Sequence, residues 1–156
     1  MCGRITATFE FSDIRVRWNL DRDLASYTPR FNIAPENPTI PVIVRQENSN
    51  ECRSMRWGLV PHWAKDPKIG YRTINARAET VDKAPSFRLA FAKRRCLIPA
   101  DGFYEWRKTV KPKLPFAIAM KDGRSFTFAG LWENWQDPES PASLMSSSRR
   151  SIPVCR

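Results

Sequence analysis

FAIAMKDGRSFTF, residues 116–128, holds two runs of alternating apolar residues on either side of Asp122-Gly123. Alternation with period two puts every second side chain on one face. An Asp-Gly pair between two such runs is the turn that a tight β-hairpin favours. The stretch therefore predicts a hairpin. Working outward, residues 39–45 (TIPVIVR) and 51–59 form a second strand pair joined by the polar QENSN, residues 46–50. Residues 95–106 predict two short strands broken at Pro99 and Gly102, and residues 2–10 and 71–78 one strand each. Helical signals are few. Ser12 and Asp13 can cap a short helix reaching Leu20, and Phe87, Ala90 and Phe91 recur at helical spacing within residues 86–93. Two prolines make residues 27–35 an ordered loop, and Gly58 and Pro61 make WGLVPHW, residues 57–63, an aromatic turn. Many short strands with few helices predict an α+β fold dominated by a curved, mainly antiparallel, barrel-like sheet.

The chain of 156 residues suits one domain, and 42% apolar residues, with 6 Trp and 9 Phe, supply a core. No apolar run approaches the ~18 residues of a membrane span. Arg4, Glu10, Asp13, Arg15 and Arg17 rule out a secretory leader in the first twenty residues, so the expectation is a cytoplasmic protein. Lys and Arg exceed Asp and Glu by 26 to 16, a formal +10. That excess suits either a polyanionic partner or a generically basic surface. Aromatic residues beside cations, at Arg17-Trp18, Arg56-Trp57 and Trp106-Arg107, tilt the balance toward a single-stranded nucleic acid. Cys2, Cys52, Cys96 and Cys155 are far apart and His62 is the only histidine, so no metal site, redox motif or cofactor is expected. Residues 136–156 carry no aromatic residue and no periodicity after Trp135-Gln136, and predict an unstructured tail behind a domain at 1–135. Three arginines and no acid lie in 140–156, so +7 of the +10 belongs to the domain.

Chemistry at the start of the chain turns on Cys2. Once Met1 is trimmed, its α-amine and thiol stand two carbons apart, with ordinary pKa values of ~7.7–8.0 and ~8.5. Such a 1,2-aminothiol condenses with an aldehyde and closes a thiazolidine ring. By position alone Cys2 reads as an ordinary small apolar residue near a chain end. Asn75 and Arg77, two apart, would share a face if 71–78 were a strand. Glu105, among aromatics in GFYEWR, would be equipped for proton transfer if buried. Each has a plain alternative: a turn asparagine, a salt-bridged arginine, an edge glutamate. His62, between Pro61 and Trp63, reads as structural.

Taken together, MCGR at 1–4, PRFNIAP at 29–35, MRWGLVPHWAKD at 55–66, TINARAET at 73–80, RRCLIPADGFYEW at 94–106 and FAGLWENW at 128–135 resemble the SRAP family, the SOS-response-associated abasic-site processing proteins. The resemblance implies that Cys2 attacks the ring-opened aldehyde of an abasic site in single-stranded DNA and forms a thiazolidine cross-link that shields the lesion. It implies that Asn75 orients the amine and the sugar, and that Glu105 shuttles protons. Arg4 and Arg77 would hold flanking phosphates, and the aromatic segment with Trp57 and Trp63 would wedge against bases. It also implies thiol autopeptidase or lyase-type chemistry, no cofactor, and a monomer associated with the nucleoid when bound to DNA. The family continues past FAGLWE through further strands and a histidine in an HxRMP-type motif. Residues 136–156 do not match that continuation and look like a frameshifted or truncated ending. The expectation is exposed apolar surface and a marginal or aggregation-prone fold. Two other functions remain open: a non-covalent binder of single-stranded DNA, and a thiol peptidase, ranked last for want of a histidine base.

Overall fold

The computed structural model describes residues 3–22, 27–35, 39–107, 112–136 and 149–154. Cys2 and most of the 136–156 tail lie outside them. The described chain is α+β, with ten strands and few short helices. The strands are β1 (Ile5–Ala7), β2 (Leu20–Arg22), β3 (Arg30–Ile33), β4 (Ile40–Gln46), β5 (Ser49–Trp57), β6 (Arg95–Ala100), β7 (Gly102–Trp106), β8 (Pro115–Ala119), β9 (Phe126–Asn134) and β10 (Arg149–Val154). Two α-helices, α1 (Phe11–Trp18) and α2 (Arg88–Lys93), and a 3-10 helix, Pro67–Arg72, connect them. Four strands form one sheet in the order β3-β1-β7-β8, and six form another in the order β10-β9-β6-β4-β5-β2. β10 also makes a short parallel ladder with the end of β5, so the second sheet is strongly curved.

β4 and β5 are the hairpin expected at 39–59, paired in register from Ile40 opposite Met55 to Gln46 opposite Ser49. The turn is tighter than the polar stretch suggested. Glu47 and Asn48 alone make it, and Glu47 takes a left-handed conformation at φ 51°. All five residues from Ile40 to Val44 are buried, as suits an interior strand covered on both faces.

The 116–128 stretch does not form a hairpin. Its turn is present, with the Gly123 N–H donating to the Met120 carbonyl at 3.0 Å and Gly123 at φ 71°. The two runs, however, belong to different sheets: β8 pairs with β7, and β9 pairs with β6. Both flanking strands find longer-range partners, and the turn serves as a crossover between sheets.

Other local expectations also shift. Residues 30–33 pair with β1 where a loop was expected, their flanking prolines lying just outside the strand. Residues 71–78 form no strand; the 3-10 helix occupies the first part and bends and turns the rest. Pro99 does not break β6, because it lies in the half of that strand that only β9 pairs. In α1, Glu10 occupies the N-cap without a side-chain bond, so neither Ser12 nor Asp13 caps it. Asn19 ends the helix at φ 46°. Within the span expected to lack structure, Arg149–Val154 pairs with β9 over six residues. Composition could not signal this, because the partner edges exist only once β9 and β5 are in place.

One core draws on both sheets. Ile5 and Ile33 of the first pack with Ile40, Val42, Val44, Met55, Trp57, Ile98 and Leu131 of the second, and α1 adds Ile14. A smaller cluster of Val60, Ala64 and Trp135 pins the 57–64 segment to the end of β9, where the Trp135 indole N–H donates to the Ala64 carbonyl at 2.7 Å. On β8, Leu114, Phe116, Ile118 and Met120 are exposed at alternate positions along and beside the strand.

Gly58 and Gly70 bring the end of β5 against the 3-10 helix. Gly58 has φ 112°, and a Cβ there would meet the Gly70 carbonyl oxygen at 2.5 Å. Gly58→Ala is therefore expected to cost roughly 1–3 kcal/mol through backbone strain and this clash, read as a lowered midpoint in thermal or urea unfolding.

Candidate functional site

The first strand is held on both sides. β3 pairs with it on one edge and β7 on the other, with Ile5 opposite both Ile33 and Phe103. Asp101, the single residue linking β6 to β7, reinforces this. Its carboxylate accepts hydrogen bonds from the Thr6 hydroxyl, the Thr8 hydroxyl and the Thr8 N–H, the last at 2.6 Å. Its own N–H donates to the Thr6 carbonyl at 3.2 Å. Gly102 must be small here, since a Cβ would stand 2.8 Å from the Thr6 hydroxyl. Sequence reading took PADG for a strand break and missed this role; the nearby Thr6 and Thr8 were the only local hint.

The β1–β7 ladder continues toward the chain start, with the Tyr104 N–H donating to the Arg4 carbonyl at 2.9 Å. The same register brings Gly3 level with Glu105. Strand alternation separates the two faces. Glu105 shares the inner face with Phe103, whose ring makes edge contacts with Phe126 and Phe128. Tyr104 and Trp106 take the outer face, their rings 6.5 Å apart. Arg4 joins them there: its guanidinium lies 5.6 Å from the Trp106 ring centroid and donates to Asn32 Oδ1 at 3.0 Å. Phe31, 75% exposed, borders this surface, and its carbonyl accepts from the Tyr104 hydroxyl at 3.1 Å. Arg4 and Glu105 thus converge on one strand pair. Trp106, Asn32 and Phe31 join Arg4 although they were not among the expected site residues.

The other expected residues come from other segments of the chain. Asn75 is half-buried, next to Ile74, whose carbonyl accepts the Trp57 indole N–H at 2.8 Å, and to buried Ala76. Arg77 is exposed. Without a strand at 71–78, the shared-face argument for Asn75 and Arg77 falls. Trp57 is a core residue, 2% exposed, and presents no ring to a ligand, whereas Trp63 stands 53% exposed. His62 Nδ1 lies 3.7 Å from Glu133 Oε2, the oxygen that Arg94 also holds at 2.6 Å. That buried carboxylate belongs to the structure of the β9 end. Among the described residues no group of three His, Cys, Asp or Glu side chains is placed to hold a metal.

Both described cysteines are buried. Burial pushes the Cys52 thiol up to about 12 and pushes Cys96 up as well. Neither is a nucleophile near neutral pH, since the thiolate is the reactive form.

A first strand clamped between two neighbours, leading to a cationic and aromatic surface on a curved two-sheet α+β body, defines the class. The chain belongs to the family of SOS response associated peptidase (SRAP), which matches residues 1–149. It is 48% identical over 142 residues to the abasic site processing protein YoqW of Bacillus subtilis, a match covering 89% of this chain and 63% of that one. It is 30% identical over 189 residues to the abasic site processing protein HMCES of Xenopus tropicalis, covering 94% of this chain and 56% of the relative. The chain thus spans little more than half to about three fifths of these relatives. A crystal structure of a Bacteroides thetaiotaomicron protein superposes with a TM-score of 0.83 at 24% identity, over 98% of this chain and 67% of that one, and shares the fold. No helix among the described residues is long and apolar enough to cross a membrane.

Two outcomes follow. Asp101→Ala strands the donors of Thr6 and Thr8 and is expected to destabilise the fold by about 3 kcal/mol, measured by urea unfolding. Alkylation with iodoacetamide at neutral pH is expected to leave Cys52 and Cys96 unmodified in the native protein and to label both after denaturation. For Cys52 the sign is set by its raised folded pKa. Its contribution to stability is complete below its ordinary 9.0 and is lost as pH climbs toward about 12, because only the unfolded chain ionises in that window.

Proposed function

We propose that this protein is an abasic-site sensor that cross-links covalently to abasic sites in single-stranded DNA through Cys2. With Met1 removed, the Cys2 amine condenses with the C1′ aldehyde of the ring-opened sugar, losing water to give a Schiff base. The thiol then adds across that C=N bond, its proton passing to the nitrogen, and closes a thiazolidine. Glu105 serves as the acid and base for ring opening and for the water that leaves. Asn75 orients the amine by donating and accepting from one amide. Arg4 and Arg77 hold flanking phosphates, Trp63 packs against a base, and the protein acts on the chromosome in the cytoplasm as a monomer.

The observation that supports this reading most is the β1–β7 register, which brings Gly3 level with Glu105 on the strand whose other face carries Trp106 beside Arg4. Family membership and relatives named abasic site processing proteins agree with it. The inert state of Cys52 and Cys96 removes the competing described thiols.

A second reading keeps the DNA surface and omits the chemistry. The exposed cationic and aromatic groups favour it equally, since stacking and phosphate contacts need no nucleophile. One denaturing gel separates the two. The protein is mixed with single-stranded DNA carrying one abasic site, beside a Cys2→Ala control, and intact mass confirms that Met1 is gone. The expected result is a shifted band that survives SDS and heat and is absent from the control. Equal retention of abasic and intact strands, all released by high salt, would mean binding alone.

A further inference from the structure

A separate surface lies between the aromatic turn and the 3-10 helix. Trp63, Lys65, Lys68, Tyr71 and Arg72 line an open pocket of about 570 Å3 that shares no residue with the β1–β7 surface. Tyr71 is 51% exposed there, although an aromatic side chain gains most from burial. The ring is nevertheless held. Arg56, at the end of β5, places its guanidinium 6.0 Å from the ring centroid and donates to the Tyr71 hydroxyl at 3.3 Å.

The backbone beneath is equally fixed. Gly58 and Gly70 touch, the Leu59 N–H donates to the Thr73 carbonyl at 3.3 Å, and the Thr73 hydroxyl donates to the Ile69 carbonyl at 3.0 Å. Three further cations line the same pocket. Lys65, Lys68 and Arg72 make no ion pair among the described residues, and Asp66 directs a carboxylate oxygen to the Lys68 N–H at 2.8 Å. A preordered, half-exposed ring within a rim of unpaired cations matches the two halves of a nucleotide, a flat base and an anionic phosphate. A purely apolar ligand would leave the cations unused, and a simple anion would leave the ring unused.

We propose that Tyr71, backed by Arg56, is a stacking platform for an unpaired nucleobase, with Lys68 and Arg72 on the phosphates beside it. This extends the nucleic-acid part of the reading above and is independent of chemistry at Cys2. The surface would hold a stretch of strand that contains no lesion.

The test is equilibrium binding by fluorescence anisotropy, using intact oligo(dT) of about twenty nucleotides, oligo(U) of the same length and a matching duplex. Tyr71→Ala is expected to weaken oligo(dT) binding about tenfold, while Tyr71→Phe, which keeps the ring, stays within about twofold. Lys68→Ala should reduce the slope of log K against log salt by ~0.7, the loss of one phosphate contact. A preference for oligo(U) that also depends on Tyr71 would support the platform and assign it to RNA. Oligo(dT) binding that is unchanged in both Tyr71→Ala and Lys68→Ala would overturn the proposal, as would duplex binding as tight as single-strand binding and indifferent to Tyr71. Thermal melts confirm that each variant folds, and the Lys68→Ala arm stands if Tyr71→Ala does not. The covalent reading fails separately: a wild type that gives no cross-link, yet loses oligo(dT) on Tyr71→Ala, sinks that reading and keeps this one.

Discussion

The Asp101 carboxylate holds the two halves of this molecule to a common geometry. It stands where the chain leaves the six-stranded sheet for the four-stranded one, and it accepts three donors from Thr6 of β1 and Thr8 just after it. A charged acceptor strengthens each bond, and partial burial weakens the competition from water. Because β1 leads directly to Arg4 and the chain start, the same interaction that joins the sheets also aims the candidate site. Gly102 makes it possible by leaving room for the Thr6 hydroxyl.

The core and the surfaces divide the aromatic residues between them. Trp57 and Trp135 are buried with their indole N–H groups bonded to backbone carbonyls, which is how a buried indole avoids an unsatisfied donor. Trp63, Tyr71, Trp106 and Phe31 remain exposed. Two of these, Trp106 and Tyr71, lie under or beside an arginine. Arginine over an exposed ring holds the ring in place while keeping its own charge at the surface.

Much of the fold was legible in the residues. Two strand-like runs, 39–45 and 51–59, joined by a polar stretch led to the β4–β5 hairpin, because those strands are neighbours in sequence and in space. Helical spacing found α2. The failures share a cause. FAIAMKDGRSFTF carries every local sign of a hairpin, yet β7 and β6 each offer their strands a longer or better-placed partner. TINARAET alternates like a strand, but the Gly58–Gly70 approach and the Thr73 bonds commit that region to a 3-10 turn and bends. Trp57 and Trp63 sit six residues apart in one aromatic motif, and one is core while the other is surface. Arg4 and Glu105, read from their motifs, lie on one strand pair; the contacts of Asn32, Asp101 and Tyr71 were not legible, because they run across strands and segments far apart in the chain.

The sequence by itself determined the family, the α+β character and the basic charge. These follow from residue types and short spacings, which act locally. Only the tertiary structure decided which strands pair, that Cys52 and Cys96 are sealed in the core, and that Arg4 meets Trp106 and Arg56 meets Tyr71. The reason is that strand pairing and burial are settled by competition among distant segments for the same edges and the same apolar space. That competition is decided by the whole chain at once.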